Sequence, residues 1–274
     1  MSISERMRQI QSAFLEAKRF ALLANQKEQL SVFLSAISGD FSSVSFEGAS
    51  MGLAINSYNK TKTLSEWNWL VEKYSAVHTS QIYVGLGWAI AELGVNPTSI
   101  VSDLNSASGY RVMDGVGYYH GILRRRAAIE RQLIPDIVSI SLLPAYDQGL
   151  GRSLWYNAGG EIEPVLKKIE LFPKDRTPAL WRGIGVAITY VGGASNKQVE
   201  AIREASKSNL AHLKYGALMA LLSRKKAGTP CEDSSAIVRC LVPDFNDIGR
   251  HVEQLENEIG TNYLNTIETI ESLL

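Results

Sequence analysis

Tyr146-Asp-Gln-Gly-Leu-Gly-Arg-Ser-Leu-Trp-Tyr156 sets a glycine, one residue and a second glycine at the head of an apolar run, and the arrangement recurs along the chain. Copies begin at Gly48-Ala49-Ser50, Gly85-Leu86-Gly87, Gly115-Val116-Gly117, Gly149-Leu150-Gly151, Gly183-Ile184-Gly185 and Gly216-Ala217-Leu218, with first glycines 37, 30, 34, 34 and 33 residues apart. A near-constant period of this size marks a repeat architecture and has room for two helices and two turns. Glycine inside a helix costs roughly 0.5–1 kcal/mol relative to alanine, so two per copy need a compensating reason. Without a β-carbon, the backbone of a neighbouring helix can approach closely, as stacked helix pairs require. The expected fold is all-α, with about six helix-pair repeats in a solenoid-like or closed array.

The segments between copies, such as Glu163 to Lys168 and Ala194 to Leu213, read as the second helix of a pair, with Pro173 and Pro178 marking turns. Phe41 to Phe46 is the best strand candidate and is short. Tyr83-Val-Gly-Leu-Gly-Trp-Ala-Ile-Ala-Glu-Leu-Gly94 aligns without gaps to Trp181-Arg-Gly-Ile-Gly-Val-Ala-Ile-Thr-Tyr-Val-Gly192, 98 residues on. That match admits either a pseudo-twofold of two three-repeat halves or six graded copies. One domain is expected: N-terminal helices over 1–40, repeats over 41–230 and a C-terminal capping helix within 231–274. In that last segment Val252, Leu255, Ile259, Tyr263 and Ile267 follow helical spacing. The alternative for it is a dimerisation helix, making a homodimer.

Composition narrows the function classes. Lys plus Arg and Asp plus Glu each number 28, so no net field draws in nucleic acid or anionic lipid. The runs Arg124-Arg125-Arg126 and Arg224-Lys225-Lys226 read as solvated helix ends. Hydrophobic residues at 45% are enough for a packed core. Cys231 and Cys240 read as free thiols in a reducing compartment, and Met1 to Asn25 lacks the apolar core of a signal peptide. No 18-residue apolar stretch suggests a membrane span, so a cytoplasmic protein is expected. No metal or cofactor motif occurs.

Three motifs are decoys. Gly48-Ala49-Ser50-Met51-Gly52 matches the G-x-S-x-G nucleophile elbow, but other copies carry Gly87, Gly117, Gly151, Gly185 and Leu218 at the place of Ser50, which marks a small packing position. Gly115-Val-Gly-Tyr-Tyr-His-Gly121 has the wrong spacing for a dinucleotide loop and no preceding strand. The histidines are scattered. His120, six residues after Asp114, is kept as a catalytic candidate beside the simpler reading of a packed core residue.

If the copies stack, the residue before each first glycine recurs on one face: Glu47, Val84, Asp114, Gln148, Arg182 and Tyr215. Three residues after each first glycine come Met51, Trp88, Tyr118, Arg152, Val186 and Met219. A core stripe would be uniformly apolar. This one mixes carboxylates, guanidinia and aromatics, the make-up of a ligand site with apolar walls and a few polar groups. The plainer reading pairs Asp147 with Arg152, and Glu47 or Asp114 with Arg182, as charges that fix helix register.

Phe46-Glu-Gly-Ala-Ser-Met-Gly52, Asp114-Gly-Val-Gly-Tyr-Tyr-His-Gly121, Tyr146-Asp-Gln-Gly-Leu-Gly-Arg-Ser-Leu-Trp-Tyr156 and Leu180-Trp-Arg-Gly-Ile-Gly-Val-Ala-Ile-Thr-Tyr-Val-Gly-Gly193 resemble the signatures of the UnbL-type bacterial family associated with enediyne biosynthesis. The resemblance spans roughly Phe41 to Ala227. Tyr156 stands where that family often has phenylalanine, and Val191 where alanine is expected. The resemblance implies a pathway, the making of polyketide-derived natural products, and no particular reaction.

Together these readings lead to a cofactor-independent enzyme or binding protein for a long apolar polyketide or polyene intermediate, acting by acid–base isomerisation or cyclisation. Asp114, Asp147 and Glu47 are the acid or base candidates. Arg152 and Arg182 would stabilise negative charge or hold a carboxylate terminus, beside Gln148, and Trp88, Tyr118, Trp155 and Trp181 would supply apolar contact. The competing reading is a non-catalytic helical scaffold gripping pathway enzymes or carrier domains in an open groove.

Overall fold

The computed structural model describes residues 1–24, 26–245, 248–250, 252 and 263–274, and among them the chain is helical with no strand. A capping box between Ser2 and Glu5 starts α1 (Ile3–Leu23), followed by α2 (Lys27–Ala36), α3 (Val44–Thr61) and α4 (Ser65–Leu93). After the short α5 (Thr98–Val101), the Asn105 side chain caps α6 (Ser106–Leu123). α7 (Leu143–Asn157) and α9 (Thr177–Val191) carry proline in the first turn, where its missing N–H is no loss, and α8 (Ile162–Ile169) lies between them. α10 (Asn196–Ser206), α11 (Leu210–Lys226), α12 (Glu232–Leu241) and α13 (Tyr263–Ser272) complete the described elements.

Long helices α3, α4, α6, α7, α9 and α11 carry the glycine copies, and each packs directly on the next. Residues i and i+2 of a helix point about 200° apart, so the two glycines of a copy face opposite neighbours. A β-carbon on Gly149 would sit 2.0 Å from the Asp114 carbonyl oxygen, and one on Gly151 would sit 2.1 Å from that of Leu180. The relation is constant. The first glycines Gly85, Gly115, Gly149, Gly183 and Gly216 face the carbonyls of Glu47, Val84, Asp114, Gln148 and Arg182, each the residue before the preceding copy's first glycine. Second glycines Gly87, Gly117, Gly151 and Gly185 face Val112, Tyr146, Leu180 and Leu213 on the following helix. This contact recurs at every step from α3 to α11. The Tyr83–Gly94 and Trp181–Gly192 segments match to their ends because Gly94 and Gly192 both end their helices at positive φ, +67° and +70°.

The two ends of the array obey the same geometry. Gly48 packs on the Phe14 carbonyl, which makes α1 a further copy without glycines. Its first position, Leu15, is half exposed, with no described glycine helix packed on it, whereas its second, Ala17, is small and fully buried. At the far end Leu218, fully buried, takes the second position of α11. Ser50 is the intermediate case. Its hydroxyl donates to the Ile82 carbonyl at 2.6 Å and accepts from Trp67 Nε1 at 2.7 Å, so it is a packing residue with its hydrogen bonds spent.

The outer layer is less regular than a series of helix pairs. Between the long helices lie the first half of α4, kinked at His78, then α5, a π turn at Arg126–Glu130, α8 and α10. Phe41 to Ser43 form turns, with Ser42 hydrogen-bonded back to Gly39, and Val44 to Phe46 begin α3, so the short strand candidate is helical and turn structure, in keeping with the all-α expectation. Arg224 also departs from expectation. It is fully buried, donating to the Tyr190 and Asp40 carbonyls at 3.0 and 2.7 Å and so tying α11 to α9 and to the turn before α3, while Lys225 and Lys226 remain exposed. Arg124 to Arg126 are exposed at the end of α6, as expected.

The array curls until its ends meet. α1 reaches α9, and Arg6 pairs with Asp233 of α12. On the opposite side Gln81 of α4 donates to Ser223 of α11 at 3.1 Å. α13 buries Tyr263, Ile267 and Ile270, packing on α11 and α6; Leu255 and Ile259 of the expected capping helix lie outside the described residues. No described helix is long and apolar enough to cross a membrane.

Candidate functional site

With glycines facing both neighbours, the residues one before and three after each first glycine point to the inside of the curl. Glu47, Met51, Trp88, Tyr118 and Arg152 line a cavity of about 510 Å³. Val84, Asp114, Gln148, Val186, Tyr215 and Met219 line a second of about 90 Å³. Glu47, Arg152 and Tyr190 border both, so these three form the partition. Arg182, the remaining member of the stripe, is turned to Glu271 of α13 at 3.0 Å and closes the interior from that end.

Arg152 Nη1 donates to Asp114 Oδ1 at 2.6 Å, and Gln148 Nε2 donates to the other Asp114 oxygen at 2.6 Å. The guanidinium also lies 4.3 Å from the Tyr118 ring centroid, stacked on the wall. Burial works against its charge, but the Asp114 and Glu47 carboxylates outweigh that and keep Arg152 protonated. Asp114 is thus the tied-down carboxylate of the interior.

Glu47 is held less firmly. It is buried, and its ion pair to Arg152 is long, 4.0 Å. Burial is the dominant influence and pushes its carboxyl up to about 7; Arg152 pulls it back, Asp114 pushes it further up, and the adjacent Trp88 indole lowers it slightly. A carboxyl at that value exchanges a proton readily near neutral pH and faces a cavity, the requirements for a general acid or base.

An aromatic row forms one wall. Phe14 of α1 meets Trp88 of α4 with ring centroids 5.1 Å apart, Trp88 meets Tyr118 of α6 at 5.0 Å, and Tyr118 meets Tyr156 of α7 at 5.7 Å. Opposite, the Tyr190 hydroxyl is 2.6 Å from Ser43 Oγ and accepts a longer bond, 3.5 Å, from Gln81. Phe14, Tyr156, Tyr190 and Gln81 were absent from the candidates read in the sequence. Tyr156 and Tyr190 stand seven residues after a first glycine and Gln81 four before one, so extending the stripe by one helical turn each way finds them; Phe14 has no glycine to mark it.

Four expected residues lie elsewhere. Asp147 is on the outer side of α7, gripped by Arg176 through two hydrogen bonds, the Nε one at 2.8 Å, rather than by Arg152. His120 is buried with its Nδ1 3.2 Å from the Tyr146 hydroxyl, and burial lowers its pKa to about 4, so it is a neutral core residue. Trp155 and Trp181 are core residues, buried to within a few per cent. Each belongs to a glycine helix but to a face turned away from the cavities. Among the described residues no three His, Cys, Asp or Glu side chains are grouped as a metal site would need.

No curated protein and no solved structure matches the chain. One family model does match, over residues 1–253, which takes in α1, every glycine helix and α12. The chain belongs to that family, which is described as a protein of unknown function, DUF1702.

Proposed function

We propose that the protein encloses a long, apolar, unsaturated small molecule within its helical curl and moves a proton on it, with Glu47 as the acid and base. The observation that carries this reading is the Glu47 carboxyl: buried, loosely paired at 4.0 Å, pushed up to about 7 and set in the wall of a 510 Å³ cavity. That volume lies within the usual range of small-molecule sites, and an aromatic wall with few polar groups suits a hydrocarbon chain.

In this proposal protonated Glu47 adds its proton to one carbon of a double bond, and the resulting carboxylate removes a proton from another carbon. The double bond migrates, or a ring closes before the second step; in either case no atom is gained or lost and no cofactor is required. A polyketide or polyene intermediate, the ligand expected from the sequence resemblance, has this chemistry. Coverage of the larger cavity by α1 supports a small-molecule site over the open groove of a scaffold.

Mass spectrometry of small molecules extracted from the purified protein tests the binding half, comparing wild type with Arg152→Ala. A co-purifying apolar compound lost in the variant is the expected result. Incubation of wild type and Glu47→Gln with that compound in deuterated water tests the chemistry: deuterium should enter carbon positions with wild type alone. Absence of any bound or titratable apolar compound would overturn the proposal and favour the scaffold reading.

A further inference from the structure

We infer that the ligand of the larger cavity carries a positive charge, or develops one as it reacts, at the end nearest Glu47. This rests on the proposed small-molecule site and adds the sign of charge that the site accepts.

The basis is how the interior charges are spent. The arginines that the sequence offered for holding an anion are each engaged by a carboxylate: Arg152 by Asp114 at 2.6 Å and Glu47 at 4.0 Å, and Arg182 by Glu271 at 3.0 Å. Arg176, which might have joined them, is taken by Asp147. At the partition Glu47 therefore shares one guanidinium with Asp114, which borders the smaller cavity, and the shorter bond to Asp114 leaves Glu47 as the under-compensated member. Of the other cations that line the cavity, Lys18 is paired with Glu92 at 2.7 Å, and Arg8 is exposed to solvent on α1. Arg111 stacks over Tyr263 beside the smaller cavity. An anionic head entering the larger cavity would meet Glu47 there, beside an Arg152 guanidinium already bound to Asp114 at 2.6 Å, and repulsion between like charges out of water is severe.

The walls favour the same sign. Aromatic faces attract cations through their quadrupole, and Trp88, Tyr118 and Tyr156 follow one another around the cavity from three helices. The face of Tyr118 already holds a cation, the Arg152 guanidinium at 4.3 Å. Two chemical forms meet the requirement: a lipophilic ammonium, or the carbocation that arises when Glu47 protonates an unsaturated chain. An aromatic wall stabilises the second without reacting with it by proton transfer, and the Glu47 carboxylate left behind is its counter-ion.

The experiment is a competition titration of the full-length protein, preloaded with a fluorescent apolar dye, against one alkyl chain with three heads: dodecyltrimethylammonium, dodecanol and dodecanoate. Dodecyltrimethylammonium should bind most tightly and dodecanoate least. Glu47→Gln, which keeps the shape, should reduce the preference for ammonium over alcohol by at least about tenfold, the equivalent of one charge contact in a partly buried site. Tyr156→Leu should reduce that preference by about threefold, a cation–π contribution, and guards against a misfolded first variant. Dodecanoate binding as tightly as the ammonium, or a preference unchanged in Glu47→Gln, overturns the inference while leaving the small-molecule site standing. If the dye and all three chains fail to bind, the proposed site itself falls and the inference with it.

Discussion

Glu47 and Asp147 are both carboxylates on glycine helices, both out of water and both next to an arginine, yet their surroundings differ. Asp147 on the outer side of α7 meets Arg176 through two hydrogen bonds and borders neither cavity. Glu47 on the inner side of α3 meets Arg152 once, at 4.0 Å, and borders both. Burial pushes both carboxyls up; at Asp147 the bidentate pair to Arg176 opposes it and ties the side chain as a lock, whereas the distant pair at Glu47 leaves its carboxyl at about 7, titratable near neutral pH. Residue type and burial do not separate a structural acid from a chemical one. The number of hydrogen bonds and the presence of open space beside it do.

The comparison breaks most visibly at the lock. Asp147→Ala strands the Arg176 guanidinium without its partner and should cost about 3–5 kcal/mol in denaturant unfolding, while any folded fraction keeps its ligand. A loss below about 1 kcal/mol would mean that Asp147 is not a lock. Gly149→Ala should cost about 3 kcal/mol, because the new methyl meets the Asp114 carbonyl and must part α6 from α7. Since those helices carry Asp114 and Arg152, ligand binding should weaken with it.

Glu47→Gln should behave in the opposite sense. The folded pKa of about 7 lies above the unfolded value of 4.5, so the folded state binds the extra proton between them. Wild-type stability from this group is therefore full below about pH 4.5 and is lost as pH rises through 7. At pH 8 the variant should be more stable than wild type by about 2 kcal/mol and should show a flatter melting-temperature profile between pH 5 and 8. A variant that is less stable at pH 8 would place Glu47 with Asp147 as a lock. The smallest effect is expected at Ser50→Gly, which restores the glycine of other copies but leaves the Trp67 indole N–H unpaired: about 1 kcal/mol of stability, with ligand handling unchanged. Loss of turnover there would reinstate the nucleophile that its packing argues against.

The repeat was legible because a glycine inside a helix is costly and is kept where a backbone must approach; reading those glycines at their spacing located the long helices and the inner stripe. Of that stripe, Glu47, Trp88, Asp114, Tyr118, Gln148 and Arg152 do border the cavities. Asp147, Trp155, Trp181 and His120 misled because they were chosen for chemical type and neighbouring motif instead of helical phase. α1 escaped notice as a copy because its first position is half exposed, and Leu15 there carries no glycine to reveal it.

The residues by themselves determined an all-helical chain, its period and the face on which chemistry collects, since these follow from local spacing and from the backbone cost of glycine. Which carboxylate is locked and which is free was decided by tertiary structure alone. Arg152 reaches Asp114 from 38 residues away, Arg176 reaches Asp147 from 29, and Arg182 reaches Glu271 from 89. Partners so distant in sequence are chosen by the curvature of the array, and no local pattern encodes them.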